Sequence, residues 1–235
     1  MRMKAVAKVR PGPGLDLIET EVPRPGPHQV LIRVTATSIC GTDVHIWQWD
    51  EWSQRRIKPP LILGHEFAGE IVECGPGVTG LSAGQIVSAE GHLVDRTCAA
   101  CRAGQFHLCE NVRVIGIDRP GSFAEYLCLP AETVWVNPPE LPSEIASLQD
   151  PLGNAVHAAF AFDLAGKSVL VTGAGAIGLM AVAVACVAGA RQIIATDVNP
   201  FKLTVARRRG ADVVLDPRQN DVVAAVRDLT GGDGA

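Results

Sequence analysis

Apolar positions follow two different rhythms along the chain. Up to about residue 140 they come in short β-type runs: Gln29 to Ala36 roughly alternates and is rich in β-branched residues, and Phe67 to Val72 and Phe123 to Leu129 read the same way. Gly and Pro separate these runs, which predicts a small barrel-like domain rather than a βαβ array. Near Pro142-Ser143-Glu144 the rhythm changes. Ser143 is the expected helix N-cap, and Ile145 to Phe162 carries apolar residues at helical spacing.

From Lys167 onward the pattern alternates strand and helix. Ser168 to Thr172 is a buried-type strand, Gly178 to Ala190 a helix, and Arg191 to Thr196 a second strand. Pro200 to Arg209 is a helix with Pro in its first turn, and Asp212 to Leu215 a third strand. This is parallel α/β grammar, so the expected fold class is α/β preceded by a β-rich domain. Arg207-Arg208-Arg209 reads as a solvated helix end, where positive charge suits the macrodipole. Ser168 to Ala190 is an uncharged run of 23 residues, long enough for a bilayer, but Gly173, Gly175 and Gly178 cut it into a strand and a buried helix. No membrane partner is expected.

Composition narrows the class further. The 235 residues carry 21 Lys+Arg against 25 Asp+Glu, a net charge of −4, with 47% hydrophobic and 20% charged residues. That is an ordinary globular balance with no basic tract for nucleic acid. The first residues mix basic and apolar positions without an apolar core, so no signal peptide is expected and the chain reads as cytoplasmic. Seven cysteines, three of them between Cys98 and Cys109, then favour metal thiolates over disulfides.

Three constellations carry chemistry. Gly173-Ala174-Gly175-Ala176-Ile177-Gly178 is G-x-G-x-x-G between a predicted strand and a predicted helix. The first Gly turns the chain, the second admits a pyrophosphate, and the third packs helix on strand, with phosphate charge at the helix N-terminus. Asp197 ends the second strand 19 residues past Gly178, where a carboxylate binds ribose hydroxyls and repels a 2′-phosphate; NAD is therefore expected rather than NADP. The second constellation is Cys40-Gly41-Thr42-Asp43-Val44-His45 with Gly64-His65-Glu66, zinc-type ligands that only the fold can bring together. The third is compact: Asp95, Cys98, Cys101 and Cys109, a structural-zinc pattern in which the first position is Asp.

The stretches Thr37 to Trp47, Trp49-Asp50-Glu51-Trp52, Pro59 to Glu70, the Cys98–Cys109 lobe and Asp150-Pro151-Leu152-Gly153-Asn154-Ala155-Val156-His157 together resemble the zinc-dependent medium-chain alcohol dehydrogenases. Within them the Trp-rich stretch and the Asp150–His157 segment are similar to the branch that acts on L-threonine. The resemblance implies a GroES-like catalytic domain over 1–155 followed by a Rossmann domain over 156–235, of which only the first half is encoded. It implies Cys40, His65 and Glu66 as catalytic-zinc ligands, Thr42 and His45 as a proton relay, and Asp150 as an acidic residue beside that zinc. Ile177, Asp197 and Lys202 would contact NAD. It further implies oxidation of threonine at C3 to 2-amino-3-oxobutanoate, and a homotetramer. Another secondary alcohol or polyol is the alternative substrate, and a non-catalytic module binding metal or nucleotide is the alternative class.

Two departures from the family pattern set further expectations. Asp95 replaces a Cys, which predicts a weaker second zinc. The sequence stops after three Rossmann strands, so the chain alone is expected to be a poor, poorly soluble dehydrogenase. It would have an open edge on Ser168–Thr172 and would expose Leu179, Val182, Val184 or their neighbours.

Overall fold

The computed structural model describes residues Met1 to Ala235, which divide into two compact units, Met1–Asp150 and Pro151–Ala235. The first unit begins β1 (Arg2–Lys8), β2 (Asp16–Glu21), β3 (Gln29–Thr37), α1 (Gly41–Gln48), α2 (Glu51–Arg56), β4 (Leu61–Ile62) and β5 (Phe67–Cys74). It continues β6 (Ile86–Ala89), β7 (His92–Leu93), α3 (Ala99–Arg102), β8 (Arg113–Val114), β9 (Tyr126–Pro130), β10 (Val134–Val136) and α4 (Ser143–Ala146). The boundary falls in the first turn of α5 (Gln149–Ala159). The second unit then runs β11 (Ser168–Thr172), α6 (Ala176–Val187), β12 (Gln192–Thr196), α7 (Pro200–Arg208), β13 (Val213–Leu215) and α8 (Val222–Leu229).

The core of the first unit is a five-stranded sheet of order β10-β6-β5-β3-β9, with a second sheet β2-β1-β4 and the small β7-β8 pair. The pairings β3–β5, β3–β9 and β5–β6 are antiparallel, and their inward residues Val30, Ile32, Phe67, Ile71, Val87, Leu127 and Leu129 form one buried cluster. The β3–β5 register shifts twice, between Leu31 and Ile32 and between Val34 and Ala36. Such irregularities bend a strand and re-aim the chain beyond it, here the segment leading to Cys40.

Two segments differ from the sequence reading for local reasons. The Phe123–Leu129 strand starts only at Tyr126, because Phe123 is claimed by other neighbours: its N–H donates to Leu63 O (2.8 Å) and its carbonyl accepts from Val6 N–H (2.7 Å). The helix expected over Ile145–Phe162 is two helices, α4 and α5. Pro151 has no N–H to give a carbonyl four residues back, so one continuous helix cannot pass through it. Ser143 is not the N-cap. Pro142 holds that position, and Ser143 is the first helical residue, accepting a hydrogen bond from the Thr35 hydroxyl (3.1 Å). Helices α1 and α2 lie where the hydrophobic rhythm is too thin to reveal them, and α1 buries only Asp43 and Ile46. Helix α8 does carry a helical rhythm, Val222, Ala225, Val226 and Leu229, which the strand-and-helix reading ending at Leu215 does not reach.

In the second unit β11, β12 and β13 are parallel, in that order, so β11 has a strand on one side only. Their core includes Ala174, Val182, Ala185, Ile193, Ala195 and Ala206. The expected exposure of Leu179, Val182 and Val184 is corrected here: Val182 is 0% exposed, Leu179 packs against the same cluster and Val184 is half-buried. The large apolar side chains that α6 leaves open are Val187, 90% exposed, and Ile177, because α6 turns its Val182–Ala185 face onto the sheet. No helix is long and apolar enough to cross a membrane.

Candidate functional site

Cys40 is the residue before the first turn of α1, in an extended conformation, and its N–H donates to Asp43 Oδ2 (2.9 Å). Thr42 Oγ1 lies 3.6 Å from Cys40 Sγ. His65 and Glu66 arrive on the strand-to-strand loop after Leu63, and that loop is fixed by a close glycine contact. Gly64 has φ +90°, and a Cβ on Gly121 would stand 2.1 Å from Gly64 O and 2.5 Å from Leu63 O. Ser122 N–H also donates to Gly64 O (2.9 Å). Glu66 is anchored through its carbonyl, which accepts from Ser38 N–H (3.0 Å) and the Thr37 hydroxyl (2.7 Å), and through Oε2, which accepts from the Ser38 hydroxyl.

The outcome is a set of ligand atoms from Cys40, His65 and Glu66 within 4.8 Å of one another, with His65 and Glu66 buried. The His65 contact draws the Cys40 thiol below its usual value against the opposing effect of burial. Burial pushes the His65 imidazolium the other way, but Cys40, Asp43 and Asp150 outweigh it and raise the ring to about 9. In this arrangement a proton on His65 balances the surrounding thiolate and carboxylates. His65 Nδ1 and Asp43 Oδ1 are buried with no hydrogen-bond partner. A Cys, His and carboxylate set that calls for positive charge, with a ring nitrogen left over, fits a zinc ion.

Asp150 joins a neighbouring group: its carboxylate, Glu90 and His92 also have ligand atoms within 4.8 Å of one another. Burial pushes Asp150 up, while His65 and His92 pull it down. His92 Nδ1 meets Glu90 Oε1 at 2.7 Å, which raises the imidazole and lowers the carboxyl. Glu90 and His92 are missed from sequence; the available signal is an acid-x-His triplet directly after the apolar run Ile86–Ala89. His45 lies on α1 with Nδ1 2.5 Å from Asp50 Oδ2.

The lobe brings Asp95, Cys98, Cys101 and Cys109 within 4.8 Å, with all three thiols buried. Backbone N–H groups of Cys101 and Glu110 lower Cys98, whereas burial and the neighbouring sulfurs push Cys101 up to about 12. Three thiolates cannot coexist there without a cation, so this set also fits zinc. Asp95 Oδ1 accepts from Thr97 N–H (2.7 Å) and Cys98 N–H (3.0 Å), and Oδ2 from Asn111 Nδ2 (2.5 Å). The Asn111 amide and those N–H groups hold the Asp95 carboxyl well below the usual range.

In the second unit Gly173 has φ +90°, and a Cβ on Gly178 would fall 1.9 Å from Gly173 O, so both positions demand glycine. Gly175 precedes α6 with no capping side chain and with open space where a Cβ would be. The first-turn N–H groups therefore have no side-chain acceptor, and the turn fits a phosphate. Asp197 directly follows β12 beside this turn: Oδ2 accepts from Ala174 N–H (2.9 Å), Oδ1 from Asn199 N–H (2.8 Å), and Lys202 Nζ is 3.8 Å from Oδ2. Ile177 is exposed on the first turn of α6.

Fold and motifs together define a zinc-dependent dehydrogenase of the medium-chain type. The alcohol dehydrogenase GroES-like domain family matches residues 26–139 and the zinc-binding dehydrogenase family residues 176–235, and the chain belongs to this family. Its relatives are narrower in description. The chain is 52% identical to an L-threonine 3-dehydrogenase of Pyrococcus horikoshii over 99% of its own length and 67% of that protein's. The alcohol dehydrogenase TADH of Thermus sp. ATN1 superposes with a TM-score of 0.88 at 32% identity, over 99% of this chain and 68% of that one. A Sinorhizobium meliloti 1021 protein described as a zinc-binding dehydrogenase, solved bound to NADP, gives 0.90 at 34% identity over 96% and 65%. The chain thus spans about two thirds of the length of the proteins it matches.

Proposed function

We propose that the protein oxidises L-threonine to 2-amino-3-oxobutanoate with NAD, as a cytoplasmic homotetramer. The observation that carries this reading is the set of half-buried Cys40 with buried His65 and Glu66, beside the Glu90–His92–Asp150 group, in a chain 52% identical to a threonine dehydrogenase. Cys40, His65 and Glu66 would hold zinc, which when bound supplies Lewis-acid polarisation of a substrate hydroxyl. Thr42, beside Cys40 Sγ, receives the hydroxyl proton and passes it toward His45, a residue type that suits a relay near neutral pH. The carboxylates of Asp150 and Glu90 suit the α-ammonium of an amino acid, a group that a simple polyol lacks. Asp95, Cys98, Cys101 and Cys109 would hold a second, structural zinc. Seven free thiols suit a reducing compartment.

For the nucleotide, the Gly173–Gly178 turn would take the pyrophosphate, with Ile177 and Lys202 flanking the adenosine and Asp197 on its ribose. When bound, the cofactor would supply the hydride acceptor. Asp197 carries the preference for NAD, since its charge opposes a 2′-phosphate. Asp197→Ser should therefore weaken NAD and strengthen NADP, shifting their ratio on the order of 10²-fold.

Zinc content, NAD binding and NADH formation are measured separately on the purified protein, with L-threonine, sorbitol and 2,3-butanediol as substrates. Threonine should give the highest kcat/KM. Turnover confined to the polyol would replace the substrate, and metal and nucleotide binding without turnover on any alcohol would make the chain a binding module. Light scattering tests the tetramer.

A further inference from the structure

His45 has a partner that its motif alone does not identify. Asp50 stands between α1 and α2 and divides its carboxylate between two tasks. Oδ1 accepts from Ser53 N–H (3.0 Å) and caps α2, while Oδ2 meets His45 Nδ1 at 2.5 Å. The corner that joins them is fixed. Trp49 is left-handed (φ 59°, ψ 45°), its N–H donates to His45 O (2.9 Å), its carbonyl accepts from Gln54 Nε2 (2.9 Å), and Lys8 Nζ sits 5.2 Å from its ring centroid. The Trp52 ring lies 6.3 Å from the His45 ring at an interplanar angle of 62°.

The Ser53 N–H and the His45 contact hold the Asp50 carboxyl below its usual range, so at neutral pH it is ionised and can only accept. The proton in the short contact must then belong to Nδ1. We propose that Asp50 is a positioning residue, which fixes His45 as the Nδ1–H tautomer and leaves the Nε2 lone pair free to accept the relayed proton. This rests on the relay reading of Thr42 and His45. A proton leaving the substrate hydroxyl through Thr42 adds to Nε2, the ring becomes cationic against the Asp50 carboxylate, and loss of that proton to water restores it. With the His45 side chain 58% exposed, the last transfer has open solvent to go to. The same division of labour, a carboxylate on Nδ1 and chemistry at Nε2, operates in the Ser-His-Asp triad.

Asp50→Asn is the discriminating variant. Asn caps a helix as well as Asp. With its oxygen kept on Ser53 N–H, its amide N–H turns toward His45 and requires a lone pair on Nδ1, which inverts the tautomer. Imidazole nitrogen NMR of the full chain should show His45 as Nδ1–H in the wild type and Nε2–H in Asp50→Asn, with the Ser53 amide signal and the melting temperature unchanged. Asp50→Ser, which caps without reaching His45, should leave the tautomers mixed. On threonine, Asp50→Asn should lower kcat on the order of 10²-fold with KM unchanged. An Nε2–H ring in the wild type overturns the proposal, as does an inverted tautomer with unchanged kcat. Absence of wild-type turnover on any alcohol would instead sink the dehydrogenase reading, and the tautomer measurement would still decide what Asp50 does to His45.

Discussion

The two thiolate clusters of the first unit are built in opposite ways. The Asp95–Cys109 lobe is local: its ligands lie within the one segment between β7 and β8, and that segment's own backbone serves them. Cys101 N–H donates to Cys98 Sγ (3.4 Å), Asp95 N–H to Cys109 Sγ (3.5 Å), and Cys98 N–H to Asp95 Oδ1 (3.0 Å). The Cys40–His65–Glu66 set is non-local. Cys40 hangs on a helix start, while His65 and Glu66 are held by contacts with Ser38, Gly121 and Ser122. A local cluster depends on spacing, and a distant one on the whole sheet. Perturbing the sheet should therefore separate them.

The largest expected effect is at Gly121. Its missing Cβ makes room for two backbone oxygens that cannot rotate away, so Gly121→Ala forces the His65 loop to move. This should cost about 3 kcal/mol, lowering the melting temperature by about 10 °C. Zinc content should fall by the equivalent held at Cys40, with the lobe still loaded. Full zinc content at the wild-type melting temperature would show that the two clusters share their supports. Cys109→Ala makes the reverse cut. It removes one of three thiolates from the lobe, whose metal should be lost for about 2 kcal/mol of stability. Zinc bound at Cys40, His65 and Glu66 should persist, because none of their contacts passes through that loop. Loss of both equivalents would break the comparison.

The same contrast explains what can be read from the chain. The glycine turn is legible because strand, turn and helix are consecutive, and Gly173 and Gly178 take the conformation and the close contact that motif needs. The lobe is legible from spacing. By contrast, the placement of Cys40 beside His65 comes from family resemblance, since nothing in a separation of 25 residues brings them together. Glu90 and His92 escape because they matter only where the turn from β6 into β7 brings them next to Asp150. Asp50 escapes because the helix it caps, α2, is itself not visible in the hydrophobic rhythm, and its second oxygen shows a use only once Trp49 has turned the chain. The Ile145–Phe162 segment reads as one helix when periodicity is weighed above the Pro151 that interrupts it.

The smallest effect, and the sharpest, concerns Asp95. Its carboxylate organises the loop by accepting from Thr97, Cys98 and Asn111, and one of its oxygens also lies within 4.8 Å of the three sulfurs. These two roles predict different responses. Asp95→Cys supplies a softer ligand that can still accept backbone N–H groups, as Cys98 does from Cys101. Zinc loss from the lobe to a chelator should slow about tenfold, equivalent to about 1.4 kcal/mol. Asp95→Asn keeps an oxygen for Thr97 and Cys98 but gives up the negative charge, so loss should quicken by a similar factor. Equal or faster loss from the Cys variant, or an unchanged rate in the Asn variant, would take Asp95 out of the ligand set. The lobe would then be a three-thiolate site that its own loop, rather than a fourth ligand, holds closed.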